Sequence, residues 1–327
     1  MIHVHVSARL HFGLLNIGAV HSWNNIDGAP LLAGRNFGGV GMMIDKPGIE
    51  VRVQSAGNWS ASGPMAERAL DFAHRLVSTV PDIVPQHIQI VTEVIPHVGL
   101  GTGTQLALAV AKAVAVSTGH GDWSSHELAW RVGRGERSAV GIHGFDCGGL
   151  IVEAGKRVGG VVSPLVARLE IPSEWRVLLV LPRAPAGRSG NPERKAFEQL
   201  SPHLKSHEVE SLSRLVLLGM LPALAERDCQ AFGEAVYDFN ARVGELFTPV
   251  QGGRYASPLV GELVRFCRSR GVTGVGQSSW GPTIFAVVPD EQCAAQLNAE
   301  LTRAYEADLS QTFVCSACNR GAVVAKG

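Results

Sequence analysis

The 327-residue sequence contains no stretch of about 18 residues free of polar interruption, the length a membrane-spanning helix needs. Its opening residues, MIHVHVSARLHFGLL, have no basic flank leading into an unbroken apolar run, so nothing there marks a secretory signal. Charge of either sign is not in surplus. The 29 basic and 29 acidic side chains sum to zero, which excludes a generalised nucleic-acid or anionic-membrane surface and leaves any anion to a local cluster. Six cysteines (Cys147, Cys229, Cys267, Cys293, Cys315, Cys318) are scattered rather than spaced as a disulfide framework. The one C-x-x-C, Cys315 to Cys318, lacks the second pair or histidine pair that zinc requires, so buried strand cysteines in a reducing compartment are expected. Internal repeats and low-complexity tracts are absent too. These absences leave a soluble cytoplasmic protein whose partners are small molecules, neither nucleic acid nor membrane. A homodimer is plausible on general grounds alone.

What is present is a globular composition, 46% hydrophobic and 18% charged, on a chain long enough for two domains. Residues 2 to 6, 48 to 55 and 87 to 94 alternate with a period of two and read as strands of one sheet. Between the last two, residues 64 to 80 carry apolar side chains at helical spacing. Ser124 and Glu127 form a capping box for a further helix, and residues 148 to 162 suggest a hairpin turning at Gly155 and Lys156. The first domain is expected to close near residue 170. Beyond it come a buried strand at 174 to 184, helical patterns at roughly 204 to 245 and 257 to 270, and strands at 282 to 289 and 311 to 317 around a helix. The expected class is α+β, with domains at 1–170 and 171–327.

The segment PHVGLGTGTQLALAVAKAVAV, starting at Pro96, is a strand-to-helix junction rich in glycine. Gly99, Gly101 and Gly103 allow backbone N–H groups to approach an anion, and the following helix supplies unpaired donors and the positive end of its dipole. Thr102 and Thr104 can add hydroxyl donors or a magnesium contact. Gln105 and Leu106 stand where a Walker A loop has lysine and serine or threonine, and G-x-G-x-x-G is absent, so neither common nucleotide fingerprint is present. A glycine turn that merely enters a packed helix is the plain structural alternative.

PHVGLGTGTQLA resembles the phosphate-binding motif of the GHMP superfamily of small-molecule kinases, P-x-x-x-G-L-G-S-S-A. SARLHFGLLNIG (7 to 18) is similar to that superfamily's N-terminal motif, and GVTGVGQSSWGPTIFAVV (271 to 288) sits where its C-terminal glycine-rich motif belongs. The departures are specific: one residue fewer before G-L-G, Thr-Gly-Thr in place of Ser-Ser, and Gln105 next. With residues 35 to 45, 133 to 155, 239 to 258 and 276 to 283, they resemble the beta-ribofuranosylaminobenzene 5'-phosphate synthase family, non-kinase members of that superfamily.

The resemblance implies a GHMP-kinase-like two-domain fold, with an N-terminal ribosomal-protein-S5-like domain and a C-terminal ferredoxin-like α/β sandwich. It implies condensation of phosphoribosyl pyrophosphate with 4-hydroxybenzoate or 4-aminobenzoate, releasing pyrophosphate and carbon dioxide, in tetrahydromethanopterin biosynthesis. Mg2+ is the implied cofactor, with Thr104 as its candidate ligand. The usual phosphoribosyltransferase signature, two acidic residues leading into a small-residue loop, is not visible, so the loop from Gly99 to Gln105 would hold the pyrophosphate.

Asp146 is the candidate for stabilising positive charge at the ribose C1, against the alternative of a turn-forming aspartate before Gly148 and Gly149. His11 and His143 are the candidates for polarising the ring substituent, with His97 as a weaker one. Arginine suits both phosphate and carboxylate, and Arg9, Arg35, Arg137 and Arg254, with Arg183 and Arg188, lie in glycine- or proline-rich segments. Ser278 and Ser279 could donate to phosphate oxygens. Trp280, Phe37 and Phe145 could wall the ring or simply pack the core. An ATP-dependent kinase shares the loop and stays open as a reading, as does a metabolite-binding regulator.

Overall fold

The structure is a computed structural model that describes residues 1–17, 23–24, 30–31, 35–80, 83–157, 159–184, 187, 191–200 and 206–327. The elements of the first part are β1 (Ile2–Asn16), β2 (Trp23–Asn24), β3 (Pro30–Leu31), β4 (Phe37–Ser55), β5 (Ser60–Ser62), α1 (Ala66–Thr79), β6 (Gln86–Ile90), α2 (Thr102–Ser117), α3 (Ser125–Arg131), α4 (Val140–Cys147), β7 (Leu150–Glu153) and β8 (Leu165–Leu169). There follow β9 (Arg176–Pro182), α5 (Asn191–Leu200), α6 (Ser206–Leu215), a π-helical turn (Val216–Met220), α7 (Leu221–Ala225) and α8 (Cys229–Gln251). The chain ends with α9 (Pro258–Ser269), β10 (Gly274–Gln277), β11 (Ile284–Val288), α10 (Glu291–Tyr305), β12 (Leu309–Ser316) and β13 (Val323–Lys326).

The large sheet runs β13-β1-β4-β6-β5, with β7 paired to the first half of β4 and β8 paired to β7. β13 brings the chain's end back onto β1, Ile2 opposite Lys326. The small sheet, β10-β11-β9-β12, is antiparallel throughout. Three apolar clusters hold the layers. One joins α1 and α2 to the large sheet through Val4, Val6, Val51, Leu76 and Leu108. A second lies between the sheets and α8, through Leu10, Phe12, Val177, Phe239 and Phe285. The third packs α9 and α10 on the other face of the small sheet through Leu178, Val264, Ile284 and Leu301. No helix among the described residues is long and apolar enough to cross a membrane.

The period-of-two segments are strands, and one half of the capping box forms: Ser124 Oγ accepts the Glu127 N–H at the start of α3, while the Glu127 carboxylate accepts from Arg131. Three expectations need correction. β7 and β8 do pair, but the chain does not turn at Gly155 and Lys156, because Lys156 exchanges two backbone hydrogen bonds with Asn36 and so extends the strand pairing before the return. The helical pattern over 204 to 245 is interrupted at Arg227, whose φ of 60° is left-handed, and restarts where Asp228 caps α8 by accepting the Ala231 N–H. The strand expected over 87 to 94 ends at Ile90. Cys315 is buried in β12, and all six cysteines are free.

Candidate active site

β1 delivers two candidate side chains through an irregularity that alternation alone does not reveal. Val4 and Val6 face α1 and α2, and an unbroken strand would send Ala8 and Leu10 the same way. A bulge against β4 between Val6 and Ala8 reverses the faces, so Ala8, Leu10 and Phe12 enter the inter-sheet core and Arg9 and His11 point to the α2 side. The Arg9 N–H then donates to the Leu100 carbonyl, 3.0 Å away, which ties β1 to the glycine loop. A second bulge follows between His11 and Gly13.

The loop itself is held by backbone contact. Gly99 has φ 96°, and a Cβ there would run into the Ser278 carbonyl. Gly101, φ 69°, caps α2 with no side-chain hydrogen bond, and a Cβ would press on Arg9 at 3.0 Å. Ser278 is the clasp: its Oγ donates to the Gly99 carbonyl (2.8 Å) and accepts the His11 N–H (3.1 Å). Thr104 and Gln105 N–H groups return to the Gly101 carbonyl, whereas those of Thr102 and Gly103 precede any helical acceptor and face the space ahead of α2.

That space is a cavity of about 650 Å³. Arg9, Arg68, Arg75, Arg134, Arg137 and Arg254 line it, and Glu136 is the one carboxylate among its lining residues. Arg68 and Arg134 lie over the Phe72 ring, 5.8 and 4.8 Å from its centre, and the Arg68 guanidinium rests against Gly103 in the first turn of α2. Burial, then the neighbouring Arg75 charge, lowers the Arg68 pKa. Arg254 is already paired with Glu245. The opposite wall is aromatic: Trp280 packs on Phe247 and Phe197 with ring centres 4.5 and 5.7 Å apart, and Arg137 lies 5.2 Å from the centre of Phe197. His11, 4% exposed, is held neutral, its pKa pushed well below the ordinary imidazole value by burial and by Arg9. Its Nε2 is 3.1 Å from Ser138 Oγ.

This lining suits polyanions. Among the described residues no group of three His, Cys, Asp or Glu side chains could hold a metal ion. A single carboxylate amid six arginines does not build a protein cage for magnesium, which takes carboxylates and water in an octahedron. Thr104 lies in the same lining, where no such group of ligands stands among the described residues to complete a metal site.

Of the residues expected from the sequence, Gly99, Gly101, Gly103 and Thr104 line the cavity, as do Arg9, Arg137 and Arg254. His11, His97, Ser279 and Trp280 line it as well. Thr102 also borders it, but its hydroxyl turns back to donate to the Ile95 carbonyl. Others lie elsewhere. Gln105 is buried, its amide donating to the Gly141 carbonyl, and Ser278 is buried as the clasp. Arg35 donates to the Gly155 carbonyl, outside the lining. His143 and Asp146, three apart on α4, face α3 instead of the cavity: His143 Nε2 meets the Ser163 carbonyl at 2.8 Å, and exposed Asp146 accepts the Ser125 hydroxyl. Phe145 packs in the α1–α2 core, Phe37 against Phe197, and Arg183 is outside the lining. Arg188 lies outside the described residues. Sequence reasoning missed Arg68, Arg75, Arg134, Ser138, Phe197 and Phe247. The signal for the first two was their seven-residue spacing on α1, which puts both on one face.

The chain's relatives agree with this architecture. The family described as "GHMP kinases C terminal" matches residues 220–307. The chain is 29% identical to the beta-ribofuranosylphenol 5'-phosphate synthase of Methanothermobacter thermautotrophicus, over 88% of this chain and 89% of that one. It is 28% identical to the Archaeoglobus fulgidus protein of the same name, over 98% of each. Among solved structures, homoserine kinase from Cytophaga hutchinsonii superposes with a TM-score of 0.69 at 14% identity, over 99% of this chain and 97% of that one. Mevalonate pyrophosphate decarboxylase from Streptococcus pyogenes gives 0.67 at 13% identity, over 98% and 97%. The chain thus carries a GHMP kinase C-terminal domain at residues 220–307, shares its fold end to end with GHMP-type kinases and decarboxylases, and is similar over nearly its full length to the beta-ribofuranosylphenol 5'-phosphate synthases.

Proposed function

We propose that this chain condenses phosphoribosyl pyrophosphate with a 4-substituted benzoate, forming a carbon–carbon bond between ribose and ring and releasing pyrophosphate and carbon dioxide, as a step of tetrahydromethanopterin biosynthesis. The observation that carries the reading is one cavity lined by six arginines, a glycine loop at a helix N-terminus and an aromatic wall. Two highly charged anions and one flat ring need such a combination. The synthases it resembles are named for a phenol product, which makes 4-hydroxybenzoate the first acceptor to consider and 4-aminobenzoate the second.

Breaking the bond between C1 and pyrophosphate gathers negative charge on the leaving group, and the first-turn N–H groups of α2 with Arg68 and Arg134 stand ready to receive it. The arginine fork suits the ribose 5'-phosphate and the benzoate carboxylate equally. Trp280 and Phe247 offer the ring a partly apolar surface, where a carboxylate is less well solvated and leaves more readily as carbon dioxide. Magnesium enters this reading as an ion carried on the diphosphate oxygens, part of the substrate.

The test is incubation of the protein and magnesium with carboxyl-labelled 4-hydroxybenzoate or 4-aminobenzoate and either phosphoribosyl pyrophosphate or ATP. Labelled carbon dioxide released only with phosphoribosyl pyrophosphate is the expected result. ADP formed from ATP with a small alcohol would replace this reading by that of a GHMP-type kinase.

A further inference from the structure

A phenolic acceptor has to lend out a proton during this reaction and take it back. Its ring carbon attacks the ribose C1 with an electron pair that the oxygen feeds through the ring, so the O–H bond must give up its proton while the C1–pyrophosphate bond breaks. The intermediate is a dienone with ribose and carboxylate on one carbon. When that carboxylate leaves as carbon dioxide, its electron pair restores the aromatic ring and the oxygen recovers the proton. No proton is consumed overall, and a store for one proton beside the cavity is what the chemistry asks for.

Three side chains from separate segments meet at the cavity wall. His11 comes from the bulged part of β1, Ser138 from the residues leading into α4, and Glu153 from the end of β7. His11 and Ser138 line the cavity, and Glu153 lies behind them, fully buried. A Cβ on Gly39 would touch both His11 Nε2 and Glu153 Oε1, at 2.9 and 3.5 Å, which shows how closely the two approach one point of β4. Glu153 Oε1 accepts the Ala139 N–H at 2.7 Å, and its Oε2 has no hydrogen-bond partner among the described residues. Burial raises the Glu153 pKa, partly offset by the hydroxyls of Ser163 and Ser138 that face it. The carboxyl is kept away from water, accepts the Ala139 N–H at the start of α4, and has the Ser138 hydroxyl between it and the cavity, a costly burial that a further use of the group would explain. Ser138 Oγ is oriented from two sides, accepting the Val140 N–H at 3.2 Å and meeting His11 Nε2 at 3.1 Å.

We propose that the phenolic O–H of the bound acceptor replaces the Val140 N–H on Ser138 Oγ, that Ser138 takes the phenolic proton while passing its own to the Glu153 carboxylate, that His11 holds the serine in line by donating its Nε2–H, and that the proton returns by the same path once carbon dioxide has left. This rests on the reading of the acceptor as a 4-hydroxybenzoate. Ser138 touches the substrate, Glu153 is the store and His11 is a positioning residue. A 4-aminobenzoate acceptor makes no such demand, since the nitrogen lone pair drives the attack with both N–H bonds intact and is restored when carbon dioxide departs.

Measuring kcat for both acceptors on the full-length protein separates this role from a structural one. E153Q and S138A are expected to lose about 100-fold or more in kcat with 4-hydroxybenzoate, the scale of general acid–base catalysis, while changing by less than about threefold with 4-aminobenzoate and keeping KM for phosphoribosyl pyrophosphate. S138A leaves the bond from Ala139 to Glu153 in place and carries the test if E153Q folds poorly. Equal losses with both acceptors, or no loss with either, would overturn the relay while leaving the reaction standing. A wild-type protein that releases no carbon dioxide from either benzoate overturns the reaction itself.

Discussion

Asp146 and Ser138 exchange the importance that their sequence settings suggest. Asp146 sits within a glycine-rich motif segment, yet α4 turns it outward, where it is exposed and bound to the Ser125 hydroxyl. Ser138, eight positions earlier in the same segment and not singled out by the sequence, lies in the cavity wall. D146N is therefore expected to keep kcat/KM within about twofold and to cost about 1 kcal/mol of stability through its hydrogen bond. Steady-state kinetics and urea unfolding check both halves, and a loss of two orders of magnitude in turnover would return Asp146 to the active site. Glycine, by contrast, was readable one residue at a time. The left-handed Gly99 and Gly101 are what an anion loop entering a helix needs, and both line the cavity.

Elements meet at the site through one amide. Asn240, in the middle of α8, donates to the Phe12 and Gln277 carbonyls at 2.7 and 2.9 Å and accepts the Gln277 N–H at 2.9 Å, joining β1, β10 and α8. N240A would leave three buried backbone groups without partners and is expected to destabilise the protein by about 3 kcal/mol, given roughly 1 to 3 for each orphaned group and partial relaxation. The measurement is chemical denaturation; a loss below about 1 kcal/mol would mean that water reaches these groups. At this scale the sequence was legible where period or capping chemistry is local, as in β4, α1 and the Ser124 cap of α3. It was silent where register decides. The bulge that turns Arg9 and His11 toward α2 depends on the pairing of β1 with β4, more than thirty residues away, and no local pattern encodes it.

For the whole molecule, buried histidines link stability to pH. His11 and His143, each 4% exposed, have pKa values below the ordinary 6.5, with burial the largest cause for both. The unfolded chain therefore binds protons below about pH 6.5 that the native protein refuses, so the stability these residues support is complete above that pH and falls as pH drops, by at most about 1.4 kcal/mol per histidine per pH unit. Melting temperature is expected to fall by several degrees from pH 7.5 to 5.5, and H143Q, which leaves the cavity lining untouched, should flatten that fall. A pH profile identical in H143Q and wild type would show that His143 titrates normally in the native state.

The sequence by itself determined the strands, the glycine loop before α2 and the likeness to GHMP-type proteins, because alternation, glycine torsions and helix capping act between residues near one another in the chain. It also located Arg9, His11 and Trp280 in segments that reach the cavity. Only the tertiary structure decided which charges converge. Arg68 and Arg75 come from the outer face of α1, Phe197 and Phe247 from α5 and α8, and Glu153 reaches Ser138 and His11 through the pairing of β7 with β4 and of β4 with β1. Each of these meetings depends on how layers pack and strands register; the seven-residue spacing of Arg68 and Arg75 puts both on one face of α1, but only the packing decides what that face meets.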